Sequence, residues 1–145
     1  MPGGMAIYET QMRHRAMPGL WLAMSSWWRL AAEAVTTSMR SDQESVTHAC
    51  ELETSMILRL RPELVRIAVA RGATIPFESA FYTPDFHRSS RVEVARTFEQ
   101  LSVTGAFGHP EVASADAGEA LFTAAATEIV AFVREFATWP TIEPS

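Results

Sequence analysis

The stretch that decides the fold runs from His48 to Val65. It reads His-Ala-Cys-Glu-Leu-Glu-Thr-Ser-Met-Ile-Leu-Arg-Leu-Arg-Pro-Glu-Leu-Val. Its first eight residues carry one histidine, one cysteine, two carboxylates and two hydroxyls. No other segment is as dense in groups that can do chemistry, so the rest of the chain is interpreted as the framework around it.

The same stretch predicts an amphipathic helix from Ala49 onward. Apolar residues recur every four positions on one face, which is the helical period: Leu52, Met56 and Leu60. Pro62 ends the helix, because its ring and its missing N–H break the helical hydrogen-bond pattern. His48 then lies at or just before the helix start, where unpaired backbone N–H groups favour negative charge, and Glu51 and Glu53 fit the first turn.

The length, net charge and cysteine content of the chain limit the class of protein that it can be. A chain of 145 residues suggests one domain, and a net charge of −5 with scattered basic residues argues against a nucleic-acid groove. The single cysteine excludes an internal disulfide and favours a reducing cytoplasm. The densest apolar run, Leu20 to Trp28, is too short to span a membrane. These features predict a soluble cytoplasmic protein.

Upstream of the central stretch, the pattern predicts a helix within residues 1–17, then a strand and a helix within residues 18–47. Continuous apolarity from Leu20 to Met24 favours a strand buried on both faces, as in a parallel sheet. Trp27 and Trp28 follow at its carboxyl end, where open α/β sheets bind ligands. They are either a pocket wall or ordinary core packing, and Trp28 is the stronger candidate for the wall.

Downstream, residues 48–65 form the helix of the central stretch, residues 66–110 an irregular wall, and residues 111–139 a C-terminal helix. Val65 to Val69 alternates and predicts a short strand. Asp116 followed by Glu119 resembles a capping box at the start of the last helix. That helix has an apolar stripe suited to cover one face of a sheet: Phe122, Ala125, Ile129, Phe132 and Phe136.

The residues of the central stretch suggest three alternative kinds of chemistry. Metal binding would use His48 with Glu51 or Glu53, but the chain offers no obvious third ligand. Cys50 beside His48 could be a nucleophile, against the alternative of a buried inert thiol. Acid–base work by His48 with Glu53 is the strongest pairing, since a carboxylate can fix the tautomer of a histidine. The non-functional alternative is that His48 caps the helix and that Glu53 is simply exposed to solvent.

The stretch His48 to Val65 strongly resembles the creatinine amidohydrolase (creatininase) family. That family carries His-Ala/Gly-Gly-Glu-x-Glu-Thr-Ser followed by a leucine-rich turn and Pro-Glu/Asp-Leu-Val, and the histidine, both glutamates and Thr-Ser agree in register. Leu20 to Trp28 looks like the family strand that ends in Ser-Tyr/Trp-Trp. Thr104 to Glu119 looks like its closing helix entry, so the resemblance runs from about Gly3 to Trp139.

The resemblance implies a three-layer α/β/α sandwich with a mainly parallel sheet. It implies a metal-dependent amidohydrolase that opens cyclic or linear amides with two divalent ions, zinc or manganese, and that assembles as a homo-oligomer. Carried over by position, His48 handles protons beside the metals, Glu53 orients His48, and Trp28 lines the substrate pocket. Metal-ligand positions have no match in this chain.

Several positions of this chain depart from the family pattern, and they lead to further expectations. The family's N-terminal Glu-x-His…Asp segment has no counterpart, and Pro2 stands where a metal-binding histidine is expected. The family's glycine is Cys50 here. Residues 1–145 are therefore expected to be the C-terminal portion of one creatininase-like domain, inactive alone. The alternative is a non-catalytic interaction subunit, or half of a split enzyme that needs a partner chain.

Overall fold

The computed structural model of the chain describes residues 6, 9, 21–39, 48–83 and 90–141. Within these residues the regular structure is mainly α-helical. The helices are α1 (Trp27–Leu30), α2 (Ala32–Ser38), α3 (Glu51–Leu60) and α4 (Ala115–Phe136). Short 3-10 turns connect them at Pro62–Leu64, Ile67–Val69, Phe98–Gln100 and Pro110–Val112.

Helix α3 is the helix that the central stretch predicts. It begins after Cys50, whose backbone is extended, and it ends at Arg61, whose N–H donates to the Ile57 carbonyl at 2.7 Å. Pro62 then opens a 3-10 turn, as expected of a residue that cannot continue an α-helix. The short strand predicted at Val65–Val69 is wrong, because a second 3-10 turn forms at Ile67–Val69.

Helix α4 spans 22 residues, and the predicted C-terminal helix is confirmed. The predicted cap is wrong. Ser114, not Asp116, is the N-cap, and its hydroxyl accepts a hydrogen bond from the Ala117 N–H at 3.2 Å. Asp116 instead lies in the first turn, where a negative charge meets the positive end of the helix dipole.

The core lies where α3 packs against α4. Four fully buried apolar side chains form its centre: Val35, Cys50, Leu52 and Leu121. The two helices approach closely at Gly118, since a Cβ there would lie 2.0 Å from the Ser55 carbonyl oxygen. A hydrogen bond from the Ser114 N–H to the Ser55 hydroxyl, 3.1 Å long, crosses the same contact.

The segment before α1 is not the buried strand that its sequence predicts. Residues 21–26 have neither helical nor strand structure, and Leu22 and Met24 are 38% and 52% exposed. Trp21 is anchored at the far end of α4: its indole N–H donates to the Pro140 carbonyl at 2.8 Å and its ring meets Trp139 edge-on. The apolar residues that follow Trp21 are left without a sheet to cover them in the described part of the chain.

Across the described residues, the β-structure is an isolated antiparallel bridge between Thr74 and Ser102 in the wall segment, residues 66–110. The α/β/α sandwich therefore stays a prediction. The predicted first helix, Met5 to Ala16, lies outside the described residues except for Ala6 and Glu9, which are helical. Among the helices that are described, none is both long and apolar enough to cross a membrane.

The wall segment folds back on itself through close backbone contacts. The Ile75 N–H donates to the Leu101 carbonyl at 2.8 Å, and the Val103 N–H donates to the Ala73 carbonyl at 3.0 Å. Gly72 lies against Gly108, and a Cβ on Gly72 would fall 1.5 Å from the Gly108 carbonyl oxygen. The described part of the wall is thus irregular but held by backbone contacts, and Phe107 near its end meets the start of α3.

Candidate active site

A tight turn places His48 at the head of α3. Ala49 has a φ of +48°, a left-handed conformation that is uncommon for a residue with a Cβ. The Ala49 N–H donates to the Glu53 carboxylate (Oε2) at 2.5 Å, and the Ala49 carbonyl accepts from the Thr54 hydroxyl at 3.4 Å. The Glu-Thr pair of the motif therefore holds the turn that carries His48.

Two aromatic rings from distant parts of the chain flank His48. Its imidazole meets Phe98 edge-on, with ring centroids 5.0 Å apart, and lies 5.9 Å from Phe107. The His48 carbonyl also accepts a hydrogen bond from the Phe107 N–H at 2.8 Å. The wall segment thus fixes the position of the imidazole while half of its surface stays open to solvent.

His48 and Glu53, predicted as a pair, do come together. The distance from His48 Nδ1 to Glu53 Oε2 is 4.0 Å, which allows a charge interaction but exceeds a hydrogen bond. The strong hydrogen bond of Glu53 goes to the Ala49 backbone instead. In this arrangement Glu53 is a positioning residue for His48, and the imidazole nitrogens make no hydrogen bond among the described residues.

An open cavity of about 620 Å³ adjoins this turn. Glu53, Ala49 and Thr54 lie along it, and its other lining side chains are mostly apolar. Trp27 contributes to the lining, whereas Trp28 does not. Trp28 is partly buried against the core cluster and meets Trp27 edge-on at 5.8 Å. Trp28, predicted as the pocket residue, does not line this cavity, and its role in binding substrate stays a prediction.

The cysteine alternative loses its geometric basis. Cys50 is wholly buried and packs in the core with Val35, Leu52 and Leu121. Its backbone, with φ −82° and ψ −172°, is ordinary extended chain, so a side chain in place of the family glycine causes no strain. A buried thiol of this kind behaves as a small apolar core residue.

Metal ligands are not grouped in the described residues. No set of three histidine, cysteine, aspartate or glutamate side chains in this part of the chain is arranged to hold an ion. His48 and Glu53 alone supply fewer donors than a metal site needs. The residues near His48 therefore do not fit the pair of ions that the family resemblance implies.

Sequence reasoning missed part of this site. Phe98 and Phe107 hold the imidazole, yet they lie 50 and 59 positions after it in the sequence. The available signal was weak: aromatic residues concentrated in an irregular segment. Glu51, considered above as a helix-dipole partner and as a metal ligand with His48, is a fully buried carboxylate, 1% exposed.

A second histidine–carboxylate pair lies in the wall. His109 Nδ1 is 3.0 Å from Glu111 Oε1, and the other oxygen of Glu111 accepts from the Gly72 N–H at 3.1 Å. Burial raises the pKa of Glu111, but the hydrogen bonds from His109 and from the backbone together bring it below its usual value. This pair joins the end of the wall to Gly72, and Pro110, between the two residues, lines the cavity.

Comparison with known proteins places this site in a family. The family model described as creatininase, creatinine amidohydrolase, matches residues 4–133. In fold the chain is similar to a Bacteroides fragilis NCTC 9343 protein assigned as a creatinine amidohydrolase, with a TM-score of 0.71 at 23% identity. The match covers 92% of this chain and 49% of that one, so this chain spans about half the length of that protein. Comparison with curated proteins gave no match.

The family match over residues 4–133 defines the class of protein by its family. Within that class, the chain belongs to the creatininase family. Members of this family are generally metal-dependent.

Proposed function

We propose that this chain carries the proton-handling part of an amidohydrolase site that hydrolyses the C–N bond of a cyclic or linear amide. The observation that carries the proposal is the geometry around His48: a half-exposed imidazole, held between Phe98 and Phe107, beside a carboxylate at 4.0 Å. The family membership supplies the reaction class.

The chemistry assigned to His48 is proton transfer. In amide hydrolysis, water adds to the carbonyl carbon, the C–N bond breaks, and the leaving nitrogen gains a proton. A neutral imidazole nitrogen can accept a proton from the attacking water and return it to the leaving nitrogen. Glu53 stabilises the imidazolium through its charge and fixes the turn below it.

Metal assistance by zinc or manganese is part of the proposal at the level of the whole family enzyme. The described residues do not form a metal site, so none of them is proposed to hold an ion during the reaction. The ligands would come from a segment that corresponds to the unmatched half of the family structure. The chain alone is proposed to be inactive, and a homo-oligomer and a cytoplasmic location remain proposals as well.

The test is an amide-hydrolysis assay on this chain extended by the family's metal-binding segment. The panel should include creatinine and linear amides, each measured with and without a chelator. We expect activity that the chelator abolishes and that His48→Ala lowers at least 100-fold, the lower end for acid–base catalysis. Full activity in His48→Ala would overturn the role of His48.

The second candidate is a non-catalytic interaction subunit, or one half of a split enzyme. The observation that favours it is the length relation: the chain matches only about half of the family structure. Under both forms of this hypothesis the chain co-purifies with a second polypeptide; His48→Ala leaves the activity of the complex unchanged if the chain is non-catalytic, and lowers it if the chain is half of a split enzyme. Loss of activity in that variant therefore excludes the non-catalytic form.

A further inference from the structure

We infer that the cavity beside α3 binds amides that carry both an apolar group and a free carboxylate, and that Arg66 binds the carboxylate. The inference rests on the proposed function for one point, namely that the amide of the ligand lies on the Glu53 side of the cavity, next to His48. The binding site itself is argued from the residues that line the cavity and from their charges.

The cavity lies between helix α3 and the wall segment. Glu53, in the first turn of α3, lines it beside His48, and Arg66 belongs to the lining on the wall side. Further along α3 the lining is apolar: Met56, Ile57 and Leu60. A cavity of about 620 Å³ with a mostly apolar lining and few polar groups is typical of a site for a small organic ligand.

The two charged side chains among the described lining residues, Glu53 and Arg66, have opposite signs. The Glu53 carboxylate is already occupied, because it accepts a hydrogen bond from the Ala49 N–H. The guanidinium of Arg66, in contrast, has no hydrogen-bond or ion-pair partner among the described residues. The two preceding arginines of the chain are both paired: Arg59 with Glu119 and Arg61 with Glu63. Arg66 is therefore a cation that is available to a ligand in the cavity.

The charges determine which ligand fits and in which direction. A guanidinium presents a planar set of donors that matches a carboxylate, and the Glu53 carboxylate repels an anion from the helix side. An acidic ligand therefore places its carboxylate at Arg66, its uncharged amide beside Glu53 and His48, and its apolar group against α3. Creatinine is a small polar ring without a carboxylate, so it would use neither the apolar lining nor the unpaired cation.

The experiment is a binding measurement by calorimetry on the 145-residue chain, and it needs no catalysis. N-octanoylglycine is the main probe, since it carries an amide, an apolar chain and a carboxylate. N-octanoylglycinamide lacks only the charge, and N-acetylglycine lacks only the long apolar chain. We expect N-octanoylglycine to bind at least about tenfold more tightly than either of the other two probes, because each of them lacks one of the recognised groups.

Three variants make the test specific. Arg66→Gln should weaken binding of N-octanoylglycine about tenfold and change binding of N-octanoylglycinamide less than about twofold. Arg61→Gln is the matched control, because Arg61 is paired with Glu63 and does not line the cavity, so neither affinity should change. Leu64→Asn should weaken both octanoyl probes equally, since Leu64 contributes apolar lining without charge. Circular dichroism should show the same helix content in all the proteins.

Failure of this inference differs from failure of the proposed function. The expected binding pattern, without amide hydrolysis by the extended protein, would support the acid-binding cavity and contradict the catalytic proposal. Hydrolysis that depends on His48 but prefers creatinine or N-octanoylglycinamide would overturn this inference alone. Absence of binding, equal affinity for the charged and uncharged octanoyl probes, or equal weakening by Arg61→Gln would also overturn it.

Discussion

The two histidine–glutamate pairs differ in the way their carboxylates are used. In the wall, Glu111 lies 3.0 Å from His109 and also binds the Gly72 N–H, so the pair ties two loops together. At the head of α3, Glu53 binds the Ala49 N–H and lies 4.0 Å from His48. Both histidines are about half exposed. The tighter pair joins two segments of backbone, whereas the looser pair is the one for which we propose proton transfer.

The largest expected effect is on catalytic activity, and it should differ between variants of His48 and of His109. In an active, extended form of the protein, His48→Ala should lower kcat/KM by about 100-fold or more, as loss of an acid–base group does. His109→Ala should leave kcat/KM within a factor of about two, since it removes only a partly exposed contact in the wall. Equal losses in the two variants would remove the distinction between the pairs.

The second prediction concerns the close backbone contact of Gly72, the residue whose N–H donates to Glu111. Gly72→Ala should destabilise the fold by about 2–3 kcal/mol, because its Cβ would meet the Gly108 carbonyl oxygen and the backbone must move. Gly105→Ala is the matched control. It has open space around it but a φ of +87°, so we expect a loss of only about 1 kcal/mol. Urea denaturation measures both, and a larger loss at Gly105 would contradict the close contact.

Removal of the Glu53 carboxylate should have a smaller effect on the free energy of unfolding. Glu53→Ala leaves the Ala49 N–H without its acceptor, which should lower the free energy of unfolding by about 1–2 kcal/mol. Glu99→Ala changes an exposed carboxylate of the wall and serves as the control, with an expected change within about 0.5 kcal/mol. If Glu53→Ala is neutral, Glu53 does not hold the turn under His48.

Relief of the left-handed turn should stabilise the protein. Ala49→Gly removes the Cβ at a φ of +48°, and we expect a gain of about 0.5–1 kcal/mol. The same change at Ala120, an exposed position inside α4, should instead cost about 1 kcal/mol through helix propensity. Thermal unfolding of both variants gives the two signs, and destabilisation by Ala49→Gly would contradict the turn geometry.

The smallest effect concerns acid stability. Because the folded state lowers the pKa of Glu111, its contribution to stability is present above the unfolded carboxyl pKa, about 4.3, and is lost as the pH falls through the folded value. The stability difference between the wild type and Glu111→Gln should therefore shrink as the pH falls below about 4. Denaturation curves across this range measure it, and a difference that grows in acid would reverse the sign.

The helices were predictable from local pattern, but the contacts that position the site were not. The four-residue spacing from Leu52 to Leu60 and the stop at Pro62 gave α3 correctly, because both effects act within one or two turns. The cap of α4 was misplaced by two residues, since Ser114 and Asp116 are both good caps and only the packing against Ser55 distinguishes them.

The candidate site was predictable in part. The motif gave His48 and Glu53 as neighbours, and the structure brings them to 4.0 Å. It could not give Phe98 or Phe107, because contacts across more than 45 residues depend on how the wall folds. The motif also could not tell which of two adjacent tryptophans reaches the cavity: Trp27 lines it and Trp28 does not, while the predicted role of Trp28 stays untested.

Cys50 gives the molecule a natural sensor of its own opening. It is the single cysteine of the chain, and its side chain is completely covered where α3 meets α4. A thiol reagent can reach it only when these helices separate, so the labelling rate measures the frequency of that separation without any engineered probe.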